Sequence, residues 1–408
     1  MTSLHLTNAF HAHSGGVRTL YLALLTAANR LGRRACLVVP GARDEVQDVG
    51  RHGRIYVIAA PTAPFDRRYR VLLPHLYLPG FAGRITRILR DERPDIVEIC
   101  DKHSLSYLAG LIRKRWLRGV GRPTLIGVSA ERFDDNLAAF VSDGRIGRAW
   151  ARWYMRTVYA QPFDYHVANS DYTAAELRAV LPPHRQRVVR VLPPGVDIAG
   201  VANSLVPRHD ARLTWQARLR LADADTPLLL YAGRLSPEKN VALLAETLAA
   251  LGRQFTGQRH HMVVAGDGPM RQPLEQRLAR ELPGRATFVG HLSDRQELAS
   301  LYAAADVFVH PNPREPFGIA PLEAMAAGLP IVVPATGGVR AYADDQTAWL
   351  ATPEPGPFAA AILCALRQRH SPRVQRARAR AREFDMPRAM DRLFALYDEL
   401  HDERQRRP

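Results

Sequence analysis

The chain has 408 residues, of which 47% are hydrophobic, and a formal charge of +16. That length exceeds one ordinary domain and predicts two, each able to bury a core. No apolar run approaches the ~20 residues of a membrane span, and Cys36, Cys100 and Cys364 stand apart, giving neither a disulfide framework nor metal-ligand spacing.

The first residues carry no basic n-region with an apolar h-region, so a cytoplasmic protein is expected. Residues 1–195 hold 29 Lys and Arg against 16 Asp and Glu, whereas the rest hold 27 against 24. Such an imbalance suits a negatively charged partner, and equally a solvated Arg-rich surface.

In chain order, a strand at 4–8 leads through a Ser14-Gly15-Gly16 turn into a helix from Val17 to about Leu31. Val17, Leu20, Leu24, Ala28 and Leu31 form its apolar stripe. Bare backbone at that turn lets a phosphate approach, a weak signal alone. Strands at 35–40 and 54–60, a helix at 85–93, a strand at 94–100 and a helix at 104–116 continue the alternation. A strand at 124–128, a helix at 146–159, a strand at 165–169, a Ser-capped helix at 170–180 and a strand at 188–192 complete it. The pattern predicts a doubly wound parallel sheet, and Pro193-Pro194-Gly195 reads as a linker.

A second α/β unit follows. The strand at 228–231 runs into Gly233-Arg234-Leu235-Ser236-Pro237-Glu238-Lys239-Asn240, then a helix from Val241. Arg234 and Lys239 in a strand-to-helix loop suit a diphosphate, Arg as a fork and Lys as a point charge. Strands at 262–265, 287–290 and 306–310 follow, the first ending in Gly266-Asp267-Gly268-Pro269. After 306–310 comes a Pro-rich turn, then Pro316-Phe317-Gly318 and a helix containing Glu323 that Gly328 can end. Glu315 precedes this turn and Glu323 follows it by one helical turn, so both are expected at one crevice beyond the carboxyl ends of the strands. A helix N-terminus favours phosphate near Gly318 and Ile319, and carboxylates favour paired sugar hydroxyls; together they describe a sugar nucleotide. A strand at 330–334 leads to Gly337-Gly338, a second turn offering N–H groups. The helix at 387–401 is long enough to return to the first domain. The expected division is 1–192, 193–384, and 385–408 as the returning helix.

Taken in order from residue 8 to residue 340, these elements resemble retaining glycosyltransferases of the GT-B fold, the family that includes bacterial mannosyltransferases, sucrose synthases and glycogen synthases. The resemblance implies two doubly wound Rossmann-like domains facing across a cleft. It implies that Arg234 and Lys239 hold the donor diphosphate, Glu315 contacts the donor sugar and Glu323 binds the ribose. Gly15, Gly16, Gly233, Gly266, Asp267, Gly268, Pro316, Phe317, Gly318 and Ile319 would complete the donor site. It implies no metal or other cofactor, because cations and helix ends stabilise the leaving group. The family's front-face mechanism needs no nucleophilic carboxylate, unlike retaining hydrolases.

Residues 97–102 and Ser129-Ala130-Glu131-Arg132-Phe133-Asp134 most resemble the GDP-mannose-dependent branch that modifies phosphoinositide or glucuronosyl lipids. Ala130 stands where that branch commonly has His, which leaves the exact sugar open. His103, Glu131 and Arg132 are the acceptor-side candidates, although a lone His is more often structural. The expected function is hexosyl transfer, mannose first, to a lipid-linked or anionic glycan acceptor. A UDP-sugar donor and a non-catalytic sugar-nucleotide-binding protein are the alternatives. A nucleic-acid partner is not expected, since no recognition motif accompanies the charge. The segments 67–70, 113–118 and 148–156 mix Arg with Tyr and Trp, a composition suited to an anionic membrane surface.

Overall fold

The computed structural model describes residues 1–406 other than 12–15, 64–68, 79–82, 141–143, 205, 222, 224 and 255–258. Ser14, Gly15, Arg67 and Arg68 therefore lie outside the described residues. The chain forms two compact units, Val196–Asp385 and the remainder, Met1–Gly195 with Met386–Pro408.

In the first unit, β1 (Thr2–Thr7), β2 (Arg34–Gly41), β3 (Glu45–Val49), β4 (Gly53–Ala59), β5 (Ile96–Cys100), β6 (Thr124–Ser129), β7 (Tyr165–Ala168) and β8 (Val189–Val191) make one sheet. Its order is β3-β4-β2-β1-β5-β6-β7-β8, parallel except for β3 against β4. Leu4, Leu6, Leu37, Val38, Ile96, Val97, Leu125 and Ile126 are fully buried, as expected of a parallel sheet covered on both faces. The helices are α1 (Gly16–Leu31), α2 (Arg84–Glu92), α3 (Ser106–Arg113), α4 (Phe133–Phe140), α5 (Arg145–Tyr154) and α6 (Asp171–Val180). Ser170 caps α6 by accepting from the Thr173 N–H.

Three local expectations need correction. The sequence pattern gave no sign of β3, because its five residues carry three polar side chains and all but Val49 are exposed. The helix expected at 104–116 stops at Arg113, and Arg115 adopts a left-handed φ of 56°. The helix expected at 146–159 changes to a π-helical turn at Met155–Tyr159.

In the second unit, α7 (Ile198–Asn203) and α8 (Arg208–Leu219) precede a six-stranded parallel sheet. Its strands are β9 (Leu228–Ala232), β10 (His261–Ala265), β11 (Ala286–Gly290), β12 (Val307–Val309), β13 (Ile331–Pro334) and β14 (Trp349–Ala351), in the order β11-β10-β9-β12-β13-β14. Helices α9 (Ala242–Gln254), α10 (Arg271–Glu281), α11 (Arg295–Ala304), α12 (Ile319–Ala326), α13 (Pro355–Arg367) and α14 (Pro372–Ala381) connect and cover them. Strand order reverses between β9 and β12, so the loops leaving those two strands diverge around a crevice at their carboxyl ends.

The last helix, α15 (Met386–Gln405), belongs to the first unit. There a buried carboxylate organises the core. Glu98 on β5 accepts from Tyr21 on α1 at 3.0 Å and from Tyr397 on α15, and lies 3.1 Å from Nδ1 of His5 on β1. Burial alone would raise the Glu98 pKa, yet His5 and the two tyrosines hold it below the ordinary carboxylate value. Among the described residues no helix is long and apolar enough to cross a membrane.

Candidate active site

Two loops of the second unit, one after β9 and one after β12, meet at an ion pair. Lys239 Nζ donates to both oxygens of Glu315, at 2.9 and 2.8 Å. Lys239 ends a short 3-10 turn at Pro237–Lys239, and Asn240 follows in the left-handed conformation, φ 51°. Asn240 Nδ2 donates to the Pro311 carbonyl at 3.0 Å, tying the loops together beside the pair. Asn312 Nδ2 reaches Glu315 at 3.1 Å, and buried His310 stands 3.3 Å from the same carboxylate. Burial pushes the Glu315 pKa up, but Lys239 and His310 overcome it and hold the acid well below the usual range. Glu315 is thus a buried carboxylate kept ionised. The sequence reading missed His310 and Asn312 as members of this cluster, although both lie in the stretch it singled out.

Directly after Glu315 the chain turns at Gly318, φ 88°, and α12 starts at Ile319. A Cβ at Gly318 would come within 2.7 Å of the Tyr342 hydroxyl, which donates to the Gly318 carbonyl at 2.6 Å. No side chain caps α12, so the Ile319 and Ala320 amides are left with the partial positive charge of a helix start. Phe317 turns inward, its ring edge-on to Tyr342 and tilted against Phe384.

Glu323, one turn into α12, forms a separate pair: the Tyr302 hydroxyl on α11 donates to it at 3.0 Å. Burial lifts its pKa to about 7, against the lowering pull of Tyr302. Arg234 is free-standing by comparison, 61% exposed, with Glu238 3.9 Å away.

The glycines of this region serve loop-on-loop packing. A Cβ on Gly266 would come within 1.9 Å of the Gly233 carbonyl oxygen, and one on Gly268 within 2.2 Å of that of Leu235. The two loops are bonded from Gly233 N to Ala265 O and from Leu235 N to Asp267 O. Asp267 accepts from the Gly268 N–H at 2.7 Å and from Arg271 at 3.3 Å. The Gly337-Gly338 turn corrects an expectation, for the Gly338 N–H is taken by the Glu315 carbonyl at 2.6 Å. A Cβ there would meet Pro316 O at 1.8 Å. That turn therefore shapes the Glu315 loop from behind.

The first unit carries the remaining predicted residues. Gly16 opens α1. His103 is exposed, its ring tilted over Phe133 at 5.5 Å, and Glu131 is exposed. Arg132 is occupied: it donates to Asp134 at 2.9 and 2.5 Å and lies 4.7 Å over the Tyr172 ring. Its loop is anchored by Glu176, which accepts from the Phe133 and Asp134 N–H groups and from Lys102. Ala130 gives its carbonyl to Asn169 Nδ2 at 2.8 Å.

Family models match both halves of the chain. The family described as Glycosyl transferases group 1 matches residues 216–384, and Glycosyltransferase Family 4 matches residues 14–199. A GDP-mannose-dependent alpha-(1-6)-phosphatidylinositol dimannoside mannosyltransferase of Mycobacterium tuberculosis is 30% identical over 97% of this chain and 95% of that protein. A D-inositol 3-phosphate glycosyltransferase of Saccharomonospora viridis is 30% identical over 83% of this chain and 78% of its own. The solved sucrose-phosphate synthase of Thermosynechococcus elongatus shares the fold, with a TM-score of 0.74 at 21% identity over 99% of this chain and 100% of that one. With two Rossmann-like domains and matches in both, the chain belongs to the group 1 and family 4 glycosyltransferases, enzymes of the GT-B fold that draw on a nucleotide sugar.

Proposed function

We propose that this enzyme moves a hexose, mannose in the first instance, from GDP-mannose to a hydroxyl of a lipid-linked or anionic glycan acceptor, with retention at the anomeric carbon. The observation that carries the reading is the Lys239–Glu315 pair beside the uncapped start of α12. It sets a cation, a carboxylate held ionised and the Ile319 and Ala320 amides of a helix start together, groups that suit a sugar diphosphate. The choice of GDP and mannose rests on the printed name of the Mycobacterium tuberculosis relative.

In this reading Lys239 and Arg234 neutralise the departing diphosphate, Glu323 accepts from ribose hydroxyls, and Glu315 orients the transferred sugar. The bond from the anomeric carbon to the phosphate oxygen breaks as the acceptor oxygen bonds on the same face. The departing phosphate takes the acceptor's proton. No metal enters, so turnover should persist in EDTA; loss restored by Mg²⁺ or Mn²⁺ would assign another transferase class.

The first unit is the acceptor-side domain in this proposal, with His103 and Glu131 available to an acceptor and a peripheral attachment to anionic membranes. Helix α5 supports the attachment. Ile146 is 87% exposed, and Trp150 and Trp153 are exposed among Arg145, Arg148 and Arg152. Trp116 is exposed with Lys114 stacked over it at 4.8 Å. Salt-sensitive sedimentation with anionic but not neutral liposomes is expected; failure to bind either at low salt would leave a soluble acceptor.

The donor is tested by thermal shift with GDP, UDP and ADP and their sugars, followed by donor hydrolysis. One nucleotide should stabilise, by about 2.7 kcal/mol at ~100-fold over its dissociation constant. Stabilisation by UDP alone would move the donor to a UDP-sugar. Binding without hydrolysis or transfer would support a non-catalytic protein.

A further inference from the structure

At the opposite, amino-terminal edge of the second unit's sheet, three arginines converge on one buried carboxylate. Asp306, which immediately precedes β12, accepts from Arg208 Nη2 at 2.6 Å and Arg369 Nη1 at 2.9 Å through Oδ1. Through Oδ2 it accepts from Arg212 Nη1 and from the Leu228 N–H, each at 2.8 Å. Four bonds fill the lone-pair positions of a carboxylate. Two guanidiniums and the backbone amide would nearly have done so, and the third makes the site over-supplied with positive charge. These side chains line a cavity of about 480 Å³, with Asp225 the one further carboxylate on its wall among the described residues. Three cations against two anions leave it net positive.

The arginines also differ in what else holds them. Arg208 is committed to the Ala303 and Ala305 carbonyls. Arg369 follows α13, is 46% exposed, and its Nη2 has no acceptor among the described residues. Burial lowers the Arg208 pKa, and the facing Arg369 and Arg212 lower it further against the pull of Asp306. Crowded guanidiniums at a concavity of ligand size are best relieved by a multivalent anion, and a planar fork matches phosphate oxygens in pairs.

We propose that the Arg208–Arg212–Arg369 pocket binds a small phosphorylated anion, at a place separate from the donor loops. Those loops leave the carboxyl ends of β9 and β12, whereas this pocket opens where the two strands begin. Only the three residues of β12, roughly 10 Å of strand, separate Asp306 from His310. An anion held here grips the strand whose far end positions Glu315.

Isothermal titration of the full chain with inorganic phosphate and with pyrophosphate tests this. Pyrophosphate should bind the parent, at least about tenfold more weakly to Arg369→Ala, which loses a charge-assisted hydrogen-bond donor. Asp225→Asn should tighten binding, an outcome that misfolding cannot mimic. Lys239→Ala should leave this event in place, since it alters only the donor loops. Absence of binding to the parent overturns the proposal. So does a titration abolished by Lys239→Ala and indifferent to Arg369→Ala and Asp225→Asn, which would make the arginines a clamp on the sheet alone.

Discussion

Lys102 with Glu176 in the first unit, and Lys239 with Glu315 in the second, are the same two side-chain types at the same closest separation, 2.8 Å. Their surroundings separate them. Lys102 is 3% exposed and fully employed: it bonds Glu176 and the Glu131 carbonyl and lies over the Tyr159 ring. Its partner is bonded to the backbone amides of Phe133 and Asp134 at the start of α4. Lys239 is 22% exposed, and both its side-chain bonds go to Glu315. The first pair ends in the fold. The second keeps bonding capacity that a ligand can reach, and that capacity marks a site where a buried ion pair by itself does not.

The comparison can be broken most decisively at Lys102. Lys102→Ala leaves buried Glu176 without its cationic partner and should cost about 3–5 kcal/mol of unfolding free energy, measured by urea titration, with normal turnover per folded molecule. A variant as stable as its parent, or folded and inactive, would end the structural assignment. Lys239→Ala should instead reduce kcat/KM by about 100- to 1000-fold. It also removes the counter-charge that depresses Glu315, so some stability goes with it. That depressed acid contributes stability above the ordinary carboxylate pKa and loses it as pH falls. Adding Glu315→Gln should restore melting temperature but not turnover; recovery of turnover would show that Lys239 serves only its neighbour.

Arg234→Lys is expected to lower kcat/KM about tenfold with an unchanged melting temperature, because the side chain is largely in solvent. Equal kinetics would remove Arg234 from the diphosphate. The smallest effect is the pH dependence of Glu323, whose pKa is raised to about 7. A raised carboxyl pKa favours the protonated folded state, so this group's contribution is lost as pH rises from the ordinary carboxylate range through about 7. Ribose hydroxyls donating to Glu323 would favour its ionised form. Nucleotide affinity should therefore increase as pH rises through about 7, and Glu323→Gln should flatten that profile. A flat profile in the parent would separate Glu323 from the ribose.

The fold class was legible because parallel strands buried on both faces leave continuous apolar runs, such as Leu228–Ala232 and Ile331–Pro334. The largely exposed hairpin strand Glu45–Val49 left no such trace, and neither did the short Trp349–Ala351 strand. Within the candidate site, Arg234, Lys239, Glu315 and Glu323 stood out by type and spacing. The contact of Lys239 with Glu315 crosses 76 residues, and no local pattern encodes it. The same holds for Tyr302 on Glu323. The glycines carry a demand that sequence does not separate from room for a phosphate: Gly266, Gly268 and Gly338 allow backbone-to-backbone contact.

The path of the chain through Glu98 also sets an order of events at the ribosome. The core carboxylate is completed by Tyr397, but about 190 residues of the second unit are synthesised between Gly195 and Met386. At ordinary elongation rates that is roughly 10–40 s. Throughout that interval the first unit lacks its closing helix, and the second joins its own two ends, by the bridge from Val196 to Asp385 and the Val196 N–H to the Phe384 carbonyl, only as the interval closes. The domain made first is therefore the one finished last, and a released chain that ends at Asp385 should present a protease-resistant second unit beside a more readily digested first.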